Sequence, residues 1–215
     1  NGLRWIRILY NYPRGVTDEL LSAICDLPKV VEYIDMPLQH IATPVLTAMR
    51  RGIDEAGTRE LIERMRQAIP GCALRTTMLV GFPGETEADF ELLLDFVREV
   101  RFTRLGAFAF SPEEGSIAAR LPNPVPLEAT RERLNRLLEL QEGIQAEANE
   151  ALFGKRADVL VEGISAEGLL RGRTRHQAPE VDGEVFLDET EATAGEIIEC
   201  EFISTDGVDL IARGI

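Results

Sequence analysis

The stretch TTMLVGFPGETEADF, Thr76–Phe90, carries an apolar run straight into Gly-Phe-Pro-Gly-Glu-Thr and then into an acidic helix start. Its first half, rich in Thr, Met, Leu and Val, has the composition of a strand. Gly81 and Gly84 let the backbone turn sharply, and Pro83 between them stiffens the turn. Thr86 with Asp89 three residues on has the form of a capping box, so a helix begins there with its free N–H groups directed back at the strand end. A flat ligand could approach such a backbone closely, with Phe82 as an apolar face. The same pattern also serves as an ordinary strand-to-helix connection, and it is neither a Walker loop nor G-x-G-x-x-G.

Working outward, the same alternation of strand-like and helix-period segments repeats. Strands are expected at Leu3–Asn11, Val30–His40, Ala73–Phe82 and Arg104–Ser111, and helices near Thr17–Leu27, Pro44–Arg51, Thr58–Ile69 and Thr86–Val100. Four βα units imply a parallel sheet. They are too few to close the familiar eight-stranded barrel, so the expected α/β fold is a partial parallel (βα) barrel or open sheet. Pro122, Pro124 and Pro126 precede a longer helix from about Leu127 to Leu152. After Gly154, KRADVLVEG, LLRGRTRHQ, DGEVFLD, GEIIECEFI and GVDLIARGI read as five short strands of a small all-β, OB-like barrel. The expected division is therefore 1–152 and 153–215.

Ligands of parallel α/β folds sit at the carboxyl ends of the strands. Here those ends read Asn11-Tyr12-Pro13, Leu38-Gln39-His40, Gly81 to Glu85, and Ser111-Pro112-Glu113-Glu114-Gly115. One strand parity is polar: Arg7 and Asn11, Asp35 and Gln39, Arg75 and Thr77, opposite Ile6, Ile8, Ile34, Met36, Met78 and Val80. Buried arginines need partners. For Arg7 and Arg75 the partner is either a ligand carboxylate or phosphate, or Asp35 and its neighbours.

The chain has 215 residues, 45% hydrophobic and 28% charged, the profile of a globular protein able to bury a core. No run approaches the roughly 18 apolar residues of a membrane span, and the start lacks the order of a signal peptide, so a cytoplasmic protein is expected. It begins at Asn1 inside a strand-like run, as a piece of a longer protein would. Cys25, Cys72 and Cys200 are too far apart for a C-x-x-C site and are expected to be buried thiols. The net charge of −14 disfavours a polyanionic partner.

Four motifs in order, YNYPRGVTDELL (Tyr10–Leu21), YIDMPLQHIATPVLTAMRRG (Tyr33–Gly52), LRTTMLVGFPGETEADF (Leu74–Phe90) and LGAFAFSPEEGSIAARL (Leu105–Leu121), resemble the later core strands of the radical-SAM methylthiotransferase family. The β-rich tail resembles that family's TRAM domain. The resemblance implies S-adenosylmethionine and two 4Fe-4S clusters in the full-length protein. The family's cluster-binding C-x-x-x-C-x-x-C is not in this sequence, so the chain by itself is expected to be inactive. By the same resemblance, Gln39 and His40 fall near the cofactor's ribose and Gly81, Phe82 and Gly84 near its adenine, with Glu85 in the same motif. Arg75 or Arg7 would take a carboxylate of cofactor or substrate. The family pattern G-x-I-x-G-x-x-E fits only loosely.

Within the family, the substrate is either a tRNA adenosine or an aspartate of a small-subunit ribosomal protein. Residues 151–215 hold six Lys and Arg against fourteen Asp and Glu, a net of −8. An RNA-binding barrel should be basic, whereas an acidic one suits a basic protein. FSPEEGS (Phe110–Ser116) and HQAPEVDGEVF (His176–Phe186) resemble the ribosomal-protein-modifying branch, which makes Glu113, Glu114, Glu180 and Asp182 candidate substrate contacts. Each also reads as an ordinary polar loop residue. The implied reaction is reductive cleavage of S-adenosylmethionine, hydrogen abstraction from the aspartate β-carbon by the adenosyl radical, and methylthio transfer. Two other classes stay open: a carboxylate-based barrel hydrolase using Glu85 with Glu113 or Glu114, and a non-catalytic module that binds a ribosomal protein.

Overall fold

The computed structural model describes residues 2–215. Its first part is a parallel sheet in sequential order: β1 (Ile6–Ile8), β2 (Val30–Asp35), β3 (Ala73–Val80) and β4 (Arg104–Ala109). The crossovers carry α1 (Asp18–Asp26), α2 (Thr43–Ala48), α3 (Glu55–Ala68) and α4 (Glu87–Val100). The long α5 (Leu127–Glu150) then leads into five strands, β5 (Arg156–Ile164), β6 (Leu170–Thr174), β7 (Val185–Asp188), β8 (Ile197–Asp206) and β9 (Asp209–Gly214). These close into a barrel in the order β5-β6-β7-β9-β8.

Strand alternation sorts the sheet into two faces. Ile34, Met36, Leu74, Met78 and Val80 join Leu61, Met65, Phe90, Leu94 and Val97 in the core under the helices. On the opposite face Val31, Tyr33 and Ala73 are buried instead by Ala178, which comes from the barrel. The barrel fills its own interior with Val159, Val161, Val185, Leu187, Cys200, Phe202, Leu210 and Ala212. At about 25 cal/mol per Å² of apolar surface removed from water, each of these cores is the dominant stabilising term for its part of the chain.

Several expectations shift. Regular pairing in β1 covers only Ile6–Ile8, because its register with β2 slips between Ile6 and Ile8. Pairing of β2 stops at Asp35, and Gln39 rejoins the sheet through a single bridge to Met78 with φ at +76°. Of the three cysteines only Cys200 is buried; Cys72 is half-buried and Cys25 is exposed on α1. Among the described residues, no helix is long and apolar enough to cross a membrane.

Candidate functional site

The strand-to-helix turn after β3 is held from inside by Glu85. One carboxylate oxygen accepts the N–H groups of Gly81 at 2.8 Å and Phe82 at 3.3 Å, and the other accepts Arg133 Nη1 of α5 at 2.8 Å. Arg133 also pairs with Glu87 at 3.0 Å, tying the start of α4 to α5. The carboxylate has no solvent access, and that burial pushes its pKa up while Arg133 opposes the shift. His40 stands 3.7 Å away, its Nδ1 accepting the Ala42 N–H at 3.0 Å. Burial pushes the His40 pKa down to about 4, so the ring is neutral near pH 7.

This arrangement revises the sequence reading of the turn. Thr86 and Asp89 form the capping box as expected. Gly81, at φ +80°, faces the side chain of Thr130: a Cβ there would stand 2.3 Å from its Oγ1. The close approach that glycine permits is to α5 rather than to a flat ligand. Gly84, at φ +87°, does open onto free space. Phe82 is buried and packs edge-to-face on Phe110, with ring centroids 5.1 Å apart. Glu85 has both oxygens engaged, so the pair of free acids a hydrolase needs is not found at this position.

The polar parity of the strands serves mainly to join the sheet to the barrel. Arg75 binds Asp35 at 2.9 Å and Asp182 of the barrel at 3.3 Å. Asp182, expected at a substrate surface, is 1% exposed; its carboxylate accepts the Tyr33 hydroxyl at 2.5 Å and the Ala178 N–H at 2.8 Å. The Tyr33 pKa is driven upward by burial and by Asp182, which fixes the hydroxyl as a donor. Arg7 lies over the Tyr33 ring, 4.8 Å from its centroid, and donates to the Arg175 carbonyl at 2.7 Å. Asp35 in turn accepts the Tyr10 N–H at 3.1 Å and its carbonyl accepts the Asn11 N–H at 2.8 Å, so the network reaches the mouth of the sheet.

What remains open at the strand ends is a smaller set. Gln39 is half-buried, and its side chain makes no hydrogen bond among the described residues. Tyr10 after β1, at 80% exposure, and Phe108 on β4, at 61%, expose aromatic side chains at opposite edges of the sheet. Glu113 and Glu114 are exposed in the loop after β4, and Glu180 is exposed with φ at +69°. The structure therefore gathers His40, Gly81, Phe82 and Glu85 at one turn, Arg7, Arg75 and Asp182 at the barrel junction, and leaves the other acids apart. Sequence reasoning missed Arg133 and Tyr33. Arg133 was legible as a charge inside the buried stripe Thr130, Arg133, Leu137, Gln141, Ile144 of α5.

Among the described residues the cysteines do not come together as a ligand set for an iron–sulfur cluster. The cysteines sit on α1, ahead of β3 and on β8, and burial lifts the Cys72 thiol to about 12 and Cys200 to about 11, away from thiolate. Among the described residues, no group of three His, Cys, Asp or Glu side chains is placed to hold a metal ion.

Residues 2–97 match the Radical SAM superfamily, and residues 153–215 match the TRAM domain. Ribosomal protein uS12 methylthiotransferase RimO of Anaeromyxobacter sp. (strain K) is 48% identical over 99% of this chain and 46% of its own length. The chain is thus similar, along nearly all of its length, to a protein named as a methylthiotransferase. A second protein of that name, from Geobacter sulfurreducens, is 45% identical over 99% of this chain and 48% of the relative. The chain thus spans about half the length of the curated relatives it matches. Coproporphyrinogen III oxidase (HemN) from Escherichia coli, described as a radical SAM enzyme, shares the fold at a TM-score of 0.50 and 18% identity, over 67% of this chain and 32% of that one.

Proposed function

We propose that the whole protein is a radical-SAM methylthiotransferase that modifies the β-carbon of an aspartate in a basic protein of the small ribosomal subunit, in the cytoplasm. The observation that carries this is similarity along 99% of the chain to relatives named as methylthiotransferases of ribosomal protein uS12. The chain then supplies the later part of a partial parallel barrel, 1–152, and an OB-like TRAM barrel, 153–215. S-adenosylmethionine and two 4Fe-4S clusters would supply the radical and sulfur chemistry, the clusters held by residues outside this sequence.

This chain's own contribution is orientation. Gln39 is the residue best free to hydrogen-bond the cofactor, and Gly84 leaves backbone accessible beside it. Glu85, with His40 behind it, holds the turn in one shape so that no reorganisation is needed on binding. Arg75 and Asp182 support the same site from below by fixing the barrel against the sheet. Glu113, Glu114 and Glu180 are exposed acids suited to contacts with a cationic polypeptide.

The charge of the barrel favours protein over tRNA. Asp158 stands opposite Glu199 and Asp206 opposite Asp209 in its antiparallel ladders, pairings of like charge that cost stability unless a cation relieves them. At moderate salt the 215-residue chain should bind a purified basic small-subunit protein and leave tRNA free, with affinity falling as salt rises. Preference for tRNA in a direct competition would overturn the choice of substrate.

A further inference from the structure

A cavity of about 320 Å³ lies between the sheet and the barrel. Leu152, Phe202 and Leu210 supply its apolar wall, while Arg104, Lys155 and Arg156 are its formal charges, with His176 beside them. No Asp or Glu lines it, in a chain where 37 acids face 23 bases. Local charge is therefore inverted relative to the whole molecule.

Arg104 is the anchor of that inversion. Its Nε donates to the Asp182 carbonyl at 2.9 Å and its Nη1 to the Thr103 carbonyl at 3.0 Å. Other arginines at the same junction have carboxylates: Arg75 has Asp35 and Asp182, Arg173 has Glu162, and Arg175 has Glu32. Arg7 has the Tyr33 ring. Among the described residues Arg104 has no carboxylate within ion-pair distance, and burial pushes its pKa down while the more distant charges of Asp182 and Asp209 oppose the shift. Among the described residues neither Lys155 nor Arg156 has a carboxylate within ion-pair distance; Arg156 faces Glu201 across the β5–β8 ladder, and Lys155 has no such acidic partner opposite it. On the other side of Arg104 a smaller cleft of about 230 Å³ includes Asp182 and Glu142, whose charges repel an anion.

We propose that the larger cavity binds a small organic anion, a carboxylate or phosphate ester seated on Arg104 and Lys155 with its apolar body against Leu152, Phe202 and Leu210. Guanidinium and ammonium together suit an oxyanion, and the apolar wall selects one that carries a hydrocarbon or aromatic part. This site lies at the domain junction and does not depend on the activity proposed above.

The test is a titration of the 215-residue chain with phenyl phosphate and with phenylacetate, followed by amide and arginine side-chain NMR, with benzyl alcohol as the neutral ligand of similar size. At least one anion should bind tenfold or more tighter than the alcohol and move the resonances of Arg104, Gln145 and Phe202; the tighter of the two identifies the headgroup. Lys155→Met, at an exposed position, should weaken that anion several-fold with the thermal midpoint unchanged. Equal affinity for anions and alcohol, shifts centred elsewhere, or a Lys155→Met chain that binds as well as the parent would each overturn the proposal.

Discussion

Glu85 occupies a position with no solvent, between two backbone N–H groups and the Arg133 guanidinium. Removing one partner of such a pair leaves an uncompensated buried charge, so Arg133→Met should lower unfolding free energy by about 3–5 kcal/mol in urea titrations. Neighbouring His40 contributes with a definite sign. Its folded pKa of about 4 lies below the ordinary value of 6.5, so between those pH values the unfolded chain binds a proton that the folded chain refuses. Stability should therefore fall as pH drops from 6.5 to 4, by up to about 3 kcal/mol from this residue. The raised Glu85 carboxyl works in the opposite direction, favouring the folded state as it takes up its proton. Comparing urea midpoints across that window for the parent and His40→Gln isolates the histidine, whose replacement should flatten the slope. The sequence displayed Glu85 plainly as part of a turn; its role was hidden because Arg133 lies 48 residues away, and a single sequence carries no signal for a long-range ion pair.

At the scale of elements, the turn after β3 depends on how closely α5 packs against it. Gly81→Ala meets both a positive φ and the Thr130 side chain, whereas Gly84→Ala meets the positive φ alone. The left-handed cost is about 1–2 kcal/mol for either, so Gly81→Ala should be the more damaging in thermal unfolding. Thr130→Gly in the Gly81→Ala background should recover part of the difference. Element type was legible wherever periodicity was strong: Thr86 announced α4, and leucine spacing announced α5. Boundaries were less so. The run Pro37-Leu38-Gln39-His40 continues β2 in sequence, but Gln39 takes a left-handed conformation and rejoins β3 through a single bridge, which no local pattern records. The half-polar buried stripe of α5, with Gln141, Gln145 and Asn149, also departs from leucine periodicity because it packs against backbone carbonyls and barrel residues: Gln141 donates to the Phe102 carbonyl at 3.0 Å.

For the molecule as a whole, the sheet and the barrel are joined by charges that the sequence showed as a polar strand parity with two possible explanations. The network Asp35, Arg75, Asp182, Tyr33 supports the explanation by internal pairing. Asp182→Asn should therefore loosen the junction, seen as faster hydrogen exchange at the Ala178 amide, while exchange inside each core stays slow. Composition, charge and the four ordered motifs carried the family into view, since those are local properties; which arginines were free and which were committed required the fold. The central claim is that these parts serve methylthiolation of a basic ribosomal protein. Its most direct test is to reconstitute the complete protein that carries this sequence with iron and sulfide, supply S-adenosylmethionine, reductant, purified uS12 and tRNA together, and locate any methylthio group by mass spectrometry. The account predicts the group on an aspartate of uS12; its appearance on tRNA adenosine, or on neither substrate with clusters intact, would contradict it.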